Sequence, residues 1–198
     1  MDLKALRSTL RQRRRSLSPQ QQQHHARQAV RHALRSPWFR RHKRVGLFIS
    51  NDGELETAPL MQALWHHGHR LFLPVLEHSL SHPMVFVEVK PDTPLRPNRY
   101  GIPEPIQKKF FPACLLDVVI TPLVAFDANG SRLGMGGGFY DRTFTCKRNG
   151  RHKPLLIGWA HACQEVAHLP RQPWDVPLDG VITEAGARAY KVGCRNSR

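Results

Sequence analysis

The N-terminal stretch sets apolar against basic positions at a helical period. Leu3, Leu6 and Leu10 share one face, and Arg7, Arg11 and Arg14 form a second stripe at spacings of four and three. An amphipathic helix over residues 2–16 is therefore expected, with one apolar and one cationic face. In the next segment Ser18 and Gln21 have the spacing of a capping box around Pro19, and Ala26, Ala29, Val30, Ala33 and Leu34 give the buried stripe of a second helix ending before Pro37. Beyond the basic run RRHKR the pattern changes to short apolar runs. VGLFIS (45–50), LFLPVL (71–76), VVITPLVAFD (118–127), LLIGWA (155–160) and GVIT (180–183) read as strands buried on both faces, while MVFVEV (84–89) alternates like a strand nearer an edge. TAPLMQALWHH (57–67) reads as a helix closed by Gly68, and Pro91–Phe111, with five prolines, as a long surface excursion.

Strands alternating with helices predict an α/β fold. We expect one domain over residues 1–198: a basic helical segment (1–44) packed on a core (45–184) whose mainly parallel sheet is flanked by helices on both faces, then a C-terminal tail (185–198).

Composition narrows this little, with 40% apolar residues. The longest apolar run, LLDVVITPLVAF, is interrupted by Asp117 and Pro122 and falls short of the roughly 20 residues of a membrane helix. No secretory leader is read in the basic N-terminus, so a cytoplasmic protein is expected. Cys114, Cys146, Cys163 and Cys194 show no metal or redox spacing, and His66, His67 and His69 read as a solvated helix end rather than a metal site.

Charge is more informative. Of the net +15, residues 1–44 carry +12, with 13 of the 30 Lys and Arg and a single acid, Asp2. Such a segment can bind a polyanion, serve one highly charged small ligand, or remain a solvated helix face.

RLGMGGGFYDR (132–142) concentrates four glycines in five positions after a strand and before an expected helix. Ligands bind open parallel sheets at the carboxyl ends of strands, and glycines allow backbone N–H groups to converge on phosphate beside the positive end of a helix. Arg132 and Arg142 flank the loop. It is neither a Walker A loop nor a dinucleotide fingerprint, because Phe139 stands where each would require another residue. Asp141, one turn into that helix, is placed to coordinate Mg2+ beside phosphates; alternatively it is a first-turn aspartate favoured by the helix dipole.

VAFDANGSRLGMGGGFYDR, followed some thirty residues later by LPRQPWDVPLDGVITE, closely resembles the signature of 5-formyltetrahydrofolate cyclo-ligases, also called 5,10-methenyltetrahydrofolate synthetases. The N-terminal Leu-Arg with its spaced arginines and LSP, DGELET and NRYGIPEP extend the resemblance over most of the chain. It implies a fold of the sugar-phosphate isomerase/CoA-transferase type. It also implies an ATP- and Mg2+-dependent closure of 5-formyltetrahydrofolate to 5,10-methenyltetrahydrofolate, with release of ADP and phosphate. By position, Lys4, Arg7, Arg132, Leu133, Gly134, Met135, Gly136, Gly137, Gly138, Phe139 and Tyr140 correspond to ATP-binding residues. Ile49 and Glu54, together with Met135–Phe139, correspond to the folate side, and Asp141 and Asp175 to Mg2+ ligands. The chain departs from relatives that carry basic residues at Met135 and Gly137, that have histidine at Trp174, and whose lysine stands four rather than three places before the arginine. The implied partners are ATP and the folate, without a membrane or nucleic acid and with a monomer favoured. The rival readings are a basic-arm RNA-binding or polyanion-binding protein, and the same fold acting on another small substrate.

Overall fold

A computed structural model describes residues 2–41, 43–75, 84–106, 109–149 and 154–190. Cys194 and the end of the expected tail, 191–198, lie outside the described residues. Helix boundaries follow local chemistry. α1 (Leu3–Arg15) starts at Asp2, whose carboxylate accepts the N–H groups of Lys4 and Ala5 at 2.8 and 3.2 Å. α2 (Pro19–Arg35) carries the expected capping box between Ser18 and Gln21 and stops at Ser36, before Pro37. α3 (Ala58–His66) is closed by Gly68, which takes a left-handed φ of 74°.

The strands are β1 (Arg44–Gly46), β2 (Arg70–Val75), β3 (Val85–Val89), β4 (Leu95–Pro97), β5 (Pro103–Pro105), β6 (Phe110–Phe111), β7 (Val118–Thr121), β8 (Ala125–Phe126), β9 (Arg132–Leu133), β10 (Leu155–Trp159), β11 (Gly180–Thr183) and β12 (Gly186–Ala189). The main sheet runs β12-β11-β10-β7-β1-β2-β3-β6. Its central pairs are parallel, and both edges are antiparallel. This is the expected mainly parallel α/β sheet.

α2 and α3 cover one face, where Ala29, Ala33, Leu60 and Leu64 pack with Val45, Ile120, Ile157 and Trp159. The other face is covered mostly by short and irregular segments, with Phe144, Leu123, Val176 and Leu178 around Phe72, Phe86, Val119 and Leu156. α1 docks separately, through Leu10 against Val124, Ala125, Leu133 and Leu169.

Several elements differ from the sequence reading. VVITPLVAFD does not run as one strand: Pro122 has no N–H for the ladder, so β7 ends at Thr121 and the chain leaves the sheet to form the β8–β9 hairpin. Residues 186–189, assigned to a tail, form an edge strand, with Ile182 paired to Ala187. The Pro-rich excursion contains the β4–β5 hairpin and β6. His69 is buried rather than solvated: its Nδ1 accepts the Lys43 N–H at 3.2 Å and its ring meets Phe39 edge-on. Among the described residues no helix is long and apolar enough to cross a membrane.

Candidate active site

The glycine loop hangs from a tightly staked hairpin. Asp127, fully buried between β8 and β9, accepts the N–H groups of Asn129 and Ser131 on Oδ1, each at 2.9 Å, and that of Leu169 on Oδ2 at 3.0 Å. That pairing satisfies a buried carboxylate with backbone donors and sets where Gly134 begins. Gly136 and Gly138 adopt φ of 99° and 61°, a region other residues enter at a cost in strain. Met135, Gly136 and Gly137 are exposed. The helix that follows, α4 (Phe139–Thr143), has only five residues, so its dipole is small and any anion held here depends on loop amides and side chains.

α1 reaches this loop. Arg7 donates from Nε to the Gly134 carbonyl at 2.8 Å, and its guanidinium borders Gly136. One and two turns further on, the same helix face meets the turn after β1. Asp52, in a left-handed conformation with φ 56°, binds Arg11 at 2.8 Å, Arg14 at 3.0 Å and Arg15. Arg14 is 1% exposed and also donates to the backbone carbonyls of Asp52 and Leu123. Burial pushes the Asp52 carboxyl up, but the hydrogen bonds from Arg11, Arg15 and Arg14 outweigh it and hold it below its ordinary value. The cationic stripe is thus mostly spent inside the protein.

On the far side of the loop, Arg132 binds Asp141 Oδ1 at 2.7 Å and donates to the Val176 carbonyl. The Val176 N–H donates to the same Oδ1 at 3.0 Å, which ties the Asp141 carboxylate to the residue beside Asp175. Asp141 Oδ2 has no hydrogen-bond partner among the described residues. Asp175 accepts the Gln172 N–H at 2.8 Å within its own turn.

Glu54 closes the site from the β1 side. It accepts the Asn51 N–H at 3.1 Å and lies 3.6 Å from Arg14. Burial raises its pKa, against the pull of Arg14. Tyr140 feels both Glu54 and Arg132: burial and the Glu54 charge raise its phenol well above the ordinary range while Arg132 opposes, so it stays a neutral hydroxyl.

The structure therefore brings Arg7 to the loop, Arg132 and Asp141 together beside Asp175, and Tyr140 within electrostatic reach of Glu54. Ile49 packs partly buried against the main core, Leu133 is buried under α1, and Lys4 is exposed on α1 one turn before Arg7. Phe139 is partly buried and lies under the Arg142 guanidinium, 5.2 Å from its ring centre. Sequence reasoning missed Arg14, Asp52 and Asp127 as parts of this scaffold. Arg14 is visible as one member of a stripe, but its partner lies 38 residues away in a loop that carries no periodic signal.

Residues 2–184 match the model of the 5-formyltetrahydrofolate cyclo-ligase family. The chain is 46% identical over 177 residues to the 5-formyltetrahydrofolate cyclo-ligase of Escherichia coli K12, covering 88% of this chain and 96% of that protein. It is 44% identical over 165 residues to the Haemophilus influenzae enzyme of the same name, covering 81% and 87%. The Aquifex aeolicus 5,10-methenyltetrahydrofolate synthetase structure superposes with a TM-score of 0.82 at 28% identity, covering 100% of this chain and 97% of that one.

Proposed function

The chain belongs to the 5-formyltetrahydrofolate cyclo-ligase family, and from that premise we propose how its own residues carry the reaction. It is an ATP-dependent ligase of folate metabolism that converts 5-formyltetrahydrofolate to 5,10-methenyltetrahydrofolate. In the proposed mechanism Arg7 and the 134–138 loop receive the ATP phosphates, with Arg132, Leu133, Phe139 and Tyr140 around them and Lys4 at the rim. Ile49, Glu54 and the Met135–Phe139 edge face the folate. The observation that carries this arrangement is the 2.8 Å contact between Arg7 Nε and the Gly134 carbonyl, which brings a cationic helix onto the glycine loop across 127 residues of sequence.

The donor set suits a hard cation. Asp141 keeps Oδ2 unpartnered among the described residues, and the Val176 N–H ties its other oxygen to the main chain directly after Asp175, whose own carboxylate accepts the Gln172 N–H. Asp141 and Asp175 would hold Mg2+, which supplies neutralisation of phosphate charge. The formyl oxygen is a poor leaving group until it accepts the γ-phosphoryl of ATP; N10 then attacks the activated carbon, the five-membered ring closes and phosphate departs. Positioning and charge compensation are what such a transfer requires, which accounts for a site of amides, arginines and carboxylates without a nucleophile. With Met135 and Gly137 uncharged, phosphate charge falls to Arg7 and the loop amides, since Arg132 is committed to Asp141. Glu54 is a hydrogen-bond partner for the pterin ring.

The test is direct: purified protein, 5-formyltetrahydrofolate and MgATP should generate the near-ultraviolet chromophore of the methenyl product with stoichiometric ADP. Conversion that is indifferent to ATP, or to removal of Mg2+ by a chelator, would overturn this mechanism. The rival reading of the N-terminal segment as a nucleic-acid arm is weakened by Arg7, Arg11, Arg13, Arg14 and Arg15, each of which already binds an acceptor in the protein.

A further inference from the structure

Beside the Asp52–Glu54 turn, close enough for Arg14 and the Gly53 backbone to act on His161, lies a second constellation that the proposed mechanism does not use. β10 and β11 are neighbouring parallel strands with Trp159 opposite Ile182, so His161 and Glu184, each two residues further on, emerge side by side at their carboxyl ends. α2 lies across this end and lowers His25 onto them. His25 Nδ1 is 2.9 Å from His161 Nδ1 and 3.6 Å from Glu184 Oε1, and one ligand atom from each of the three lies within 4.8 Å of the others.

We propose that His25, His161 and Glu184 form a binding site for a divalent first-row transition ion, with Zn2+ as its natural occupant, that fastens α2 to the sheet. Ligand atoms about 2.1 Å from one ion and subtending 90–120° lie roughly 3.0–3.6 Å apart; the two His25 separations, 2.9 and 3.6 Å, are close to that range, and the His161–Glu184 pair stays within 4.8 Å. Two imidazoles and one carboxylate are a borderline-soft donor set that favours Zn2+, Co2+ or Ni2+ over Mg2+. The Ala162 N–H holds Glu184 Oε2 at 2.9 Å, leaving Oε1 toward His25. His161 is fully buried, and burial lowers its pKa to about 4, with Glu184 opposing and His25 reinforcing, so the imidazole is in the neutral form a metal requires. His25 and Glu184 remain 18% and 17% exposed, which gives an ion a path in. His161 Nε2 has no hydrogen-bond partner among the described residues and so lacks the outer acceptor of most ligating histidines; affinity should be correspondingly reduced, by about 10-fold to 100-fold.

The site is independent of Asp141 and Asp175, so its test does not depend on turnover. Untagged, chelator-treated full-length protein in excess Mg2+ is titrated with Co2+ and followed by visible absorption. One equivalent should bind with the d–d bands of a low-symmetry site, and Zn2+ should displace it and raise Tm. His25→Ala, at the surface of α2, should weaken Co2+ binding at least about tenfold and remove the Zn2+ effect on Tm while staying folded by circular dichroism. Glu184→Gln provides a second variant with the same expected direction. Absence of saturable Co2+ binding would overturn the proposal, as would equal binding by wild type and both variants, which would place the ion on surface histidines such as His66 and His67.

Discussion

Asp52 and Asp141 are both partly buried carboxylates gripped by arginine, with side chains 19% and 25% exposed, yet their hydrogen bonding differs. Asp52 spends both oxygens on Arg11, Arg14 and Arg15 and gives its backbone carbonyl to Arg14 as well. Asp141 gathers Arg132 and the Val176 N–H on one oxygen and leaves the other open among the described residues. A saturated carboxylate can only hold the chain together, whereas one with an open oxygen can also take a ligand. The same contrast separates Arg14, buried with all its bonds inside the protein, from Arg7, which makes one bond to the loop at the partly exposed N-terminal end of α1.

The largest expected effect is on the saturated side. Arg14→Ala leaves Asp52, Glu54 and the Leu123 carbonyl facing a void, and breaking a buried charge network typically costs about 3–5 kcal/mol. For a chain of this size that is a fall in Tm of roughly 10 °C. A loss below about 1 kcal/mol in urea unfolding would mean the network is ornamental. On the open side, Asp141→Asn should lower kcat by about 100-fold or more, the scale of lost transition-state charge stabilisation, while shifting unfolding by less than about 1 kcal/mol. Asp52→Asn should show the reverse, losing stability with kcat nearly intact. If both aspartates respond alike, the distinction between them fails.

Much of this architecture is legible in the sequence because it is written in local chemistry: the capping box at Ser18, the alanine stripe of α2, the buried runs that become β7, β10 and β11. The glycine loop is legible because backbone freedom must be encoded by glycine itself. What escapes a reading of the sequence is long-range. Asp52 and Arg14 meet across 38 residues, and His25 and His161 across 136, through a sheet order that no periodicity prints. The edge strand β12 is hidden for a related reason: GARA has neither alternation nor β-branched residues and is held by long-range partners, its pairing with GVIT and the ion pair of Arg188 with Glu165.

Arg7→Ala should have a smaller effect than Asp141→Asn. Its single bond to Gly134 is only partly buried, so unfolding should move by no more than about 0.5–1 kcal/mol. The KM for ATP should rise by about tenfold, the lower range for a charged hydrogen bond, with little change in KM for the folate. Arg7→Lys should recover only part of this, because an ammonium cannot offer the guanidinium fork. An unchanged KM for ATP would detach α1 from the nucleotide.

The smallest effect tests Glu54, which stands between the two kinds of carboxylate. It lies 3.6 Å from Arg14, as a structural partner would, but burial outweighs that attraction and raises its pKa above the ordinary 4.5. The sign follows from linkage: a folded-state pKa above the unfolded one means the native protein binds the proton more tightly. That contribution is fully present below about pH 4.5 and is lost as pH rises through the raised value. The unfolding free energy of wild type minus that of Glu54→Gln should therefore fall as pH increases from 4 toward neutrality and then level off. A difference that rises instead would show Arg14 prevailing over burial and would move Glu54 to the side of Asp52, as part of the scaffold rather than a group kept poised for the folate.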